Sequence, residues 1–170
     1  MKHLISGVDA PMLARRSAYQ LGFAGLIPFW AIPVTVLLGS SFSEGTYLAL
    51  LLWFAGYGAV IVSFMGGSRW VLSMAKPDTR DASLFGGFLG AVGPPLAAWL
   101  ALIPAGLFVP FDPHPLMRLA IIGLLLAFQL LQDWSHAERG GVPPWYMDLR
   151  KALTFGAVTP IALAILIASF

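Results

Sequence analysis

Residues 46–67 read TYLALLLWFAGYGAVIVSFMGG, a run without one charged side chain. An α-helix rises about 1.5 Å per residue, so a run of this length crosses a hydrocarbon core of about 30 Å. Four other stretches have the same character: 18–39, 83–109, 116–132 and 152–170. Residues that end helices separate them, namely Ser40-Ser41, Lys76-Pro77-Asp78, the proline-studded run 110–115, and Gly140-Gly141 followed by Pro143-Pro144. The composition agrees. Of 170 residues, 58% are apolar and 11% charged, with a mean hydropathy of +0.81, whereas a soluble domain uses about 25% charged residues to coat its surface. The sequence therefore predicts an all-α integral membrane protein, a bundle of five transmembrane helices forming a single membrane domain over residues 1–170 with short loops. Its first partner is the lipid bilayer.

Basic residues predict the orientation. With the N-terminus cytoplasmic, Lys2, Arg15, Arg16, Arg69, Lys76, Arg80, Arg139, Arg150 and Lys151 fall inside and only Arg118 falls outside. Lys and Arg resist translocation, so the N-terminus is expected to be cytoplasmic and the C-terminus periplasmic. The first apolar run is longer than the h-region of a signal peptide, about 7–15 residues, and is read as an uncleaved span. Without the Arg- and Ser-rich character of a transit peptide, the chain is expected to be a multi-pass protein of a bacterial inner membrane. Its net charge of +2 is too small to point to nucleic acid. The absence of cysteine excludes disulfides, thiolate metal sites and a cysteine nucleophile.

Small residues let helices approach where no hydrophobic effect drives them together. Ala55, Ala59, Ser63 and Gly67 recur at four-residue intervals in the second span, and Ala82, Gly86 and Gly90 do so in the third. These rows predict a tight hairpin of spans two and three; a dimerisation face is the other reading. Prolines interrupt three spans: Pro28 and Pro33, then Pro94, Pro95 and Pro104, then Pro160. Each frees a carbonyl that hydrocarbon cannot satisfy, so the bundle should be kinked at sites that face protein, a hydroxyl or water. Pro28, Pro94 and Pro95 fall at a depth close to that of Trp30, Trp53 and Trp99. Together they outline a candidate cavity in the outer half of the bilayer for a flat or lipidic ligand. Alternatively, the tryptophans are packing or lipid-facing residues.

Polar side chains gather at the inner level. Gln129, Gln132, Asp133 and His136 occupy i, i+3, i+4 and i+7 and so share one helix face, which must look into the bundle or onto headgroups. Arg69, on a helix longer than the membrane needs, either snorkels to phosphates or turns inward and requires an acid. Asp133 is the carboxylate within a span at that level, so an Arg69–Asp133 pair is expected. Two unconnected interfacial charges are the alternative. Arg150, with Tyr146 and Thr154, completes the inner-face cluster.

The sequence has no His-Glu-x-x-His, no Gly-x-Ser-x-Gly and no phosphate-cradling glycine loop. His3, His114 and His136 are predicted on two sides of the membrane, and no ionisable residue falls near the middle of a span. Metal catalysis, haem ligation and ion-coupled pumping are disfavoured, and the expectation is no enzyme, no cofactor and no metal.

Two blocks carry a resemblance: Ser63-Phe64-Met65-Gly66-Gly67-Ser68-Arg69-Trp70, and Pro144-Trp145-Tyr146-Met147-Asp148-Leu149-Arg150-Lys151-Ala152-Leu153-Thr154. Through them, with the Leu21–Phe29 run and the Gln129/Asp133 pair, the chain resembles the transmembrane protein 69-like family from about Tyr19 onward. Where that family commonly has Gly after the Arg/His-Trp pair, this chain has Val71. The resemblance implies a helical membrane domain of unknown function without assigned catalytic residues, in bacterial inner membranes with mitochondrial relatives. In length, span count and Trp/Pro content the chain is also similar to the tryptophan-rich sensory/translocator family, but the likeness stops at architecture. Two functions are expected from these readings. The first is a non-catalytic helper or accessory subunit of a larger membrane complex. The alternative is binding or translocation of a hydrophobic small molecule, a lipid or a tetrapyrrole-like compound.

Overall fold

Proline and glycine decide where the helices begin and end. The computed structural model describes residues 9–75, 81–104, 113–138 and 142–170, and every regular element among them is helical: α1 Asp9–Ala24, α2 Ile27–Leu37, a 3-10 turn Gly39–Ser41, α3 Glu44–Ala75, α4 Asp81–Ala101, α5 Pro115–Ala137 and α6 Pro144–Ala168. The expected loops at 76–80, 105–112 and 139–141 lie outside the described residues. Among the described residues four segments are long and apolar enough to cross a membrane: Met12–Leu37, Glu44–Met74, Pro115–Ala137 and Pro144–Ala168. The remaining expected span is present as a shorter apolar helix, Phe85–Ala101.

Two boundaries differ from the expectation. The first span is two helices, broken at Gly25-Leu26, with Pro28 in the opening turn of α2, where a missing N–H costs little. Tyr57 Oη donates to the Gly25 carbonyl at 2.7 Å, which ties the break to α3. The third span was expected to run through Pro104, yet α4 ends at Ala101. Proline disfavours helical geometry in the residue before it, so the chain leaves the helix ahead of Pro104. Arg118, 3% exposed, collects the carbonyls left over: Nη1 donates to Ala101 O at 2.7 Å and Ile103 O at 3.1 Å, and Nε donates to Pro113 O at 3.0 Å.

The core draws on five helices, with Phe29 and Ile32 from α2, Leu51, Ala55 and Val62 from α3, Ala98 from α4, Leu119, Ile122 and Leu126 from α5, and Ala157 and Ile161 from α6. α3 packs most extensively on α4 and also on α5; α6 lies against α5 and α2; α1 leans chiefly on α6. The outside is apolar as well. Val60, Phe64, Leu89, Leu124 and Phe155 are all exposed, a surface that suits lipid and not water. Trp30, Trp53 and Trp99 belong to it, 48%, 67% and 59% exposed.

The α3–α4 hairpin uses a different small-residue row from the one expected. Ala55, Ala59, Val62 and Gly66 are buried on α3, whereas Ser63 and Gly67 are exposed; on α4 Ala91, Pro94 and Ala98 are buried and Gly86 is exposed. A strict four-residue row turns by about 40° per step on a helix of 3.6 residues per turn, so it spirals off the contact face within three steps. The mixed 4-4-3-4 spacing of 51, 55, 59, 62 and 66 stays on it. A Cβ on Gly66 would collide with the Ala91 carbonyl and stand 2.6 Å from Pro95 Cγ, while one on Gly67 or Gly86 would meet nothing within 4 Å. Gly66 thus fits the α4 backbone where Pro94-Pro95 interrupt its hydrogen bonding. Gly90 is also tight, with Gln132 Nε2 3.0 Å from where its Cβ would lie.

Gly66→Leu should cost about 1–3 kcal/mol or more through overpacking against backbone, read as a lower Tm in detergent. Gly67→Leu and Gly86→Leu should melt like the parent. Equal losses at all three positions would refute this register.

Candidate functional site

Asp133 lies on the inward face of α5, one turn beyond Gln129, because that face carries the core: Leu119, Ile122, Leu126, Gln129 and Asp133 recur at three- and four-residue spacing. Its carboxylate is 3% exposed. Arg69 Nη1 from α3 donates to Oδ1 at 2.8 Å, and Arg150 Nε from α6 donates to Oδ2 at 2.5 Å. Tyr146 Oη reaches Oδ2 at 3.5 Å, and Arg150 Nη1 reaches Thr154 Oγ1 at 3.5 Å. Gln129 is fully buried and donates from Nε2 to the Val62 carbonyl at 3.0 Å, fastening α5 to α3 one turn deeper. His136 is half-buried one turn further along α5.

Arg69, Gln129, Asp133 and Arg150 are therefore brought together at one end of the bundle. Among the described residues a single carboxylate serves two guanidiniums, which leaves one positive charge in excess within the network. Arg69 Nε, Arg150 Nη2, Gln129 Oε1 and Gln132 Oε1 are buried without a hydrogen-bond partner among the described residues. An uncompensated polar group in an apolar interior costs roughly 1–3 kcal/mol, more when it is charged. The network is well held but incompletely satisfied.

Beside it is a cavity of about 470 Å³ walled by α1, α2, α3, α5 and α6. Its apolar wall includes Leu21, Gly22, Leu26, Phe29, Met65, Leu126 and Leu153, and its polar side chains are Ser68, Tyr146, Arg150 and Thr154. Leu21 and Phe64 line it and are themselves exposed, so it opens sideways between α1 and α3. None of Pro28, Trp30, Trp53, Pro94, Pro95 or Trp99 lines it. This cavity is therefore not the one outlined from those six residues. The three tryptophans are wide, outward-facing rings, whereas the space arises where α1 and α2 part at Gly25-Leu26 and α1 stands away from α3. The signal in the sequence is the Gly22/Gly25 pair ahead of Pro28, which marks the break, while Gly22 itself is close-packed, with Leu153 Cδ1 2.9 Å from where its Cβ would lie.

The sequence marks Arg118 only as the one outer cation and gives no direct sign of its burial against the end of α4. The pattern that would have shown it is a helix-ending Pro104 whose freed carbonyls call for a cation. At the other end, Trp134 Nε1 donates to Glu138 Oε1 at 2.9 Å and Lys151 Nζ stands 4.7 Å over the Trp134 ring. That is how a belt residue fixes the depth of a span. Among the described residues no three His, Asp or Glu side chains converge as a metal site requires.

The family model described as "Protein of unknown function (DUF3429)" matches residues 14–166. The chain belongs to that family. Transmembrane protein 69 of Xenopus tropicalis is 32% identical over 156 residues, 88% of this chain and 52% of the relative, so the chain spans about half the length of that curated relative. No solved structure matches the chain. Of the two sequence blocks on which the resemblance rested, the first supplies Gly66 and Arg69 and the second supplies Tyr146, Arg150 and Thr154. In this DUF3429 chain they meet through Asp133.

Removing one partner from a buried ion pair costs about 3–5 kcal/mol, because the other charge is left stranded. Asp133→Asn strands two guanidiniums and should cost the most. Arg69→Gln leaves Asp133 on Arg150 and should cost less. The double variant should fall short of the summed losses by about 1 kcal/mol or more in detergent unfolding, and strict additivity would contradict the pairing.

Proposed function

We propose that this chain is a non-catalytic multi-pass protein of a bacterial inner membrane that holds a hydrophobic molecule taken from the bilayer. The observation that carries this reading is the cavity of about 470 Å³, mainly apolar and open sideways between α1 and α3. Its size falls within the range of small-molecule sites, about 300–1,000 Å³, and its few polar groups are gathered on the α3 and α6 walls. Five spans with the N-terminus cytoplasmic and the C-terminus periplasmic complete the proposal, supported by the bias of basic residues. A reporter fused after Phe170 should be active on the periplasmic side; cytoplasmic activity would refute the orientation.

A second reading, an accessory subunit of a larger membrane complex, is favoured by one observation. Ser63 and Gly67 on α3 and Gly86 on α4 are exposed, and a Cβ on either glycine would meet nothing within 4 Å. A partner helix could approach closely there. Native mass spectrometry after gentle extraction separates the two. A lipid-sized adduct that survives detergent exchange is the expected result; a co-purifying protein without such an adduct would favour the accessory reading instead.

A further inference from the structure

The cavity is chemically polarised. Along α6 its wall runs from Trp145 to Ala157, about 18 Å at 1.5 Å per residue. That is close to the hydrocarbon depth of one leaflet, about half of 30 Å. The deep part is formed by Leu26, Phe29, Leu126 and Ala157, all apolar. The shallow part carries Tyr146 and Arg150.

Arg150 is 4% exposed, lines the cavity, and spends Nε on Asp133 and Nη1 on Thr154, while Nη2 has no partner among the described residues. The Asp133 carboxylate is already shared with Arg69, and Asp148, on the same turn as Arg150, is exposed. A guanidinium with an unspent donor, in a network one negative charge short among the described residues, sits at the polar end of a leaflet-deep apolar slot.

On the cavity reading above, we propose that the occupant is a membrane lipid with an anionic phosphate headgroup, one acyl chain lying in the slot and the headgroup drawing the Arg150 guanidinium toward it, so that Nη2, sealed from the cavity in the empty fold, donates to a phosphate oxygen. Such a ligand balances the excess charge and satisfies the buried donor together, which neither a neutral lipid nor a free anion does along with filling the slot. Arginine suits the role because its planar fork can hold Asp133 and a phosphate oxygen at once.

The test is native mass spectrometry of the full chain titrated with phosphatidylglycerol or phosphatidylcholine of matched acyl chains, with inorganic phosphate as competitor. Phosphatidylglycerol should bind roughly tenfold more tightly than phosphatidylcholine, whose phosphate can accept the same hydrogen bond but whose choline cation leaves the excess charge unbalanced. Arg150→Gln, which keeps the Arg69–Asp133 pair, should abolish that preference. Ala18→Trp, which fills the slot from the loosely packed α1, should weaken both lipids. Equal binding of the two lipids by the parent overturns the headgroup assignment while the cavity reading stands, and it decides the matter even if Arg150→Gln does not fold. Binding of both lipids unchanged by Ala18→Trp overturns the headgroup assignment and the cavity reading together. Displacement of phosphatidylglycerol by inorganic phosphate at equal concentration overturns the lipid in favour of a free anion.

Discussion

A carboxylate sealed inside an apolar helix bundle has to be matched by charge from its neighbours, and Asp133 draws that charge from two other helices, Arg69 on α3 and Arg150 on α6. Lipid supplies no hydrophobic force to press these helices together, so directional contacts decide how they meet. The two guanidiniums fix the rotation and depth of α3 and α6 against α5, and Gln129 repeats the fastening one turn deeper through the Val62 carbonyl. With α3 set in this way, its Gly66 face turns to the proline-broken stretch of α4. With α6 set, its Tyr146–Ala157 face is left looking toward α1 and the cavity.

Buried ion pairs are weak contributors to stability, because desolvation offsets most of the Coulomb gain, and apolar replacements often do as well. Two cations on one anion is a still less economical arrangement. The lipid headgroup proposed above would balance the excess charge at Arg150. The opposite end of the bundle shows the contrasting use of a buried arginine. Arg118 donates to backbone carbonyls at the end of α4 and to that of Pro113, and it lines no part of the cavity.

Features governed by length and periodicity were legible from the sequence. The apolar runs gave the helices, and the i, i+3, i+4, i+7 spacing of Gln129, Gln132, Asp133 and His136 placed one polar face on α5 before any contact was known. Features set by the phase between helices were not legible. Small residues lie on several faces of α3, and the choice of Gly66 over Gly67 depends on where Pro95 stands on another helix. Proline positions located breaks but not which side of the proline the helix would quit, as Pro28 and Pro104 show. The tryptophans do not point to this cavity, because large rings serve equally as walls and as lipid-facing surface. The gap beside Gly22 and Gly25 comes from the departure of α1, which is a tertiary fact.

If Asp133 organises the bundle, its neutralisation should loosen specific places. Hydrogen–deuterium exchange of Asp133→Asn in a bilayer nanodisc tests this most directly. Residues 62–75 of α3 and 144–154 of α6 should lose protection together, while 115–126 of α5 and the Arg118-capped end of α4 keep theirs. Unchanged protection in either of the first two segments, or a uniform loss throughout, would contradict the account.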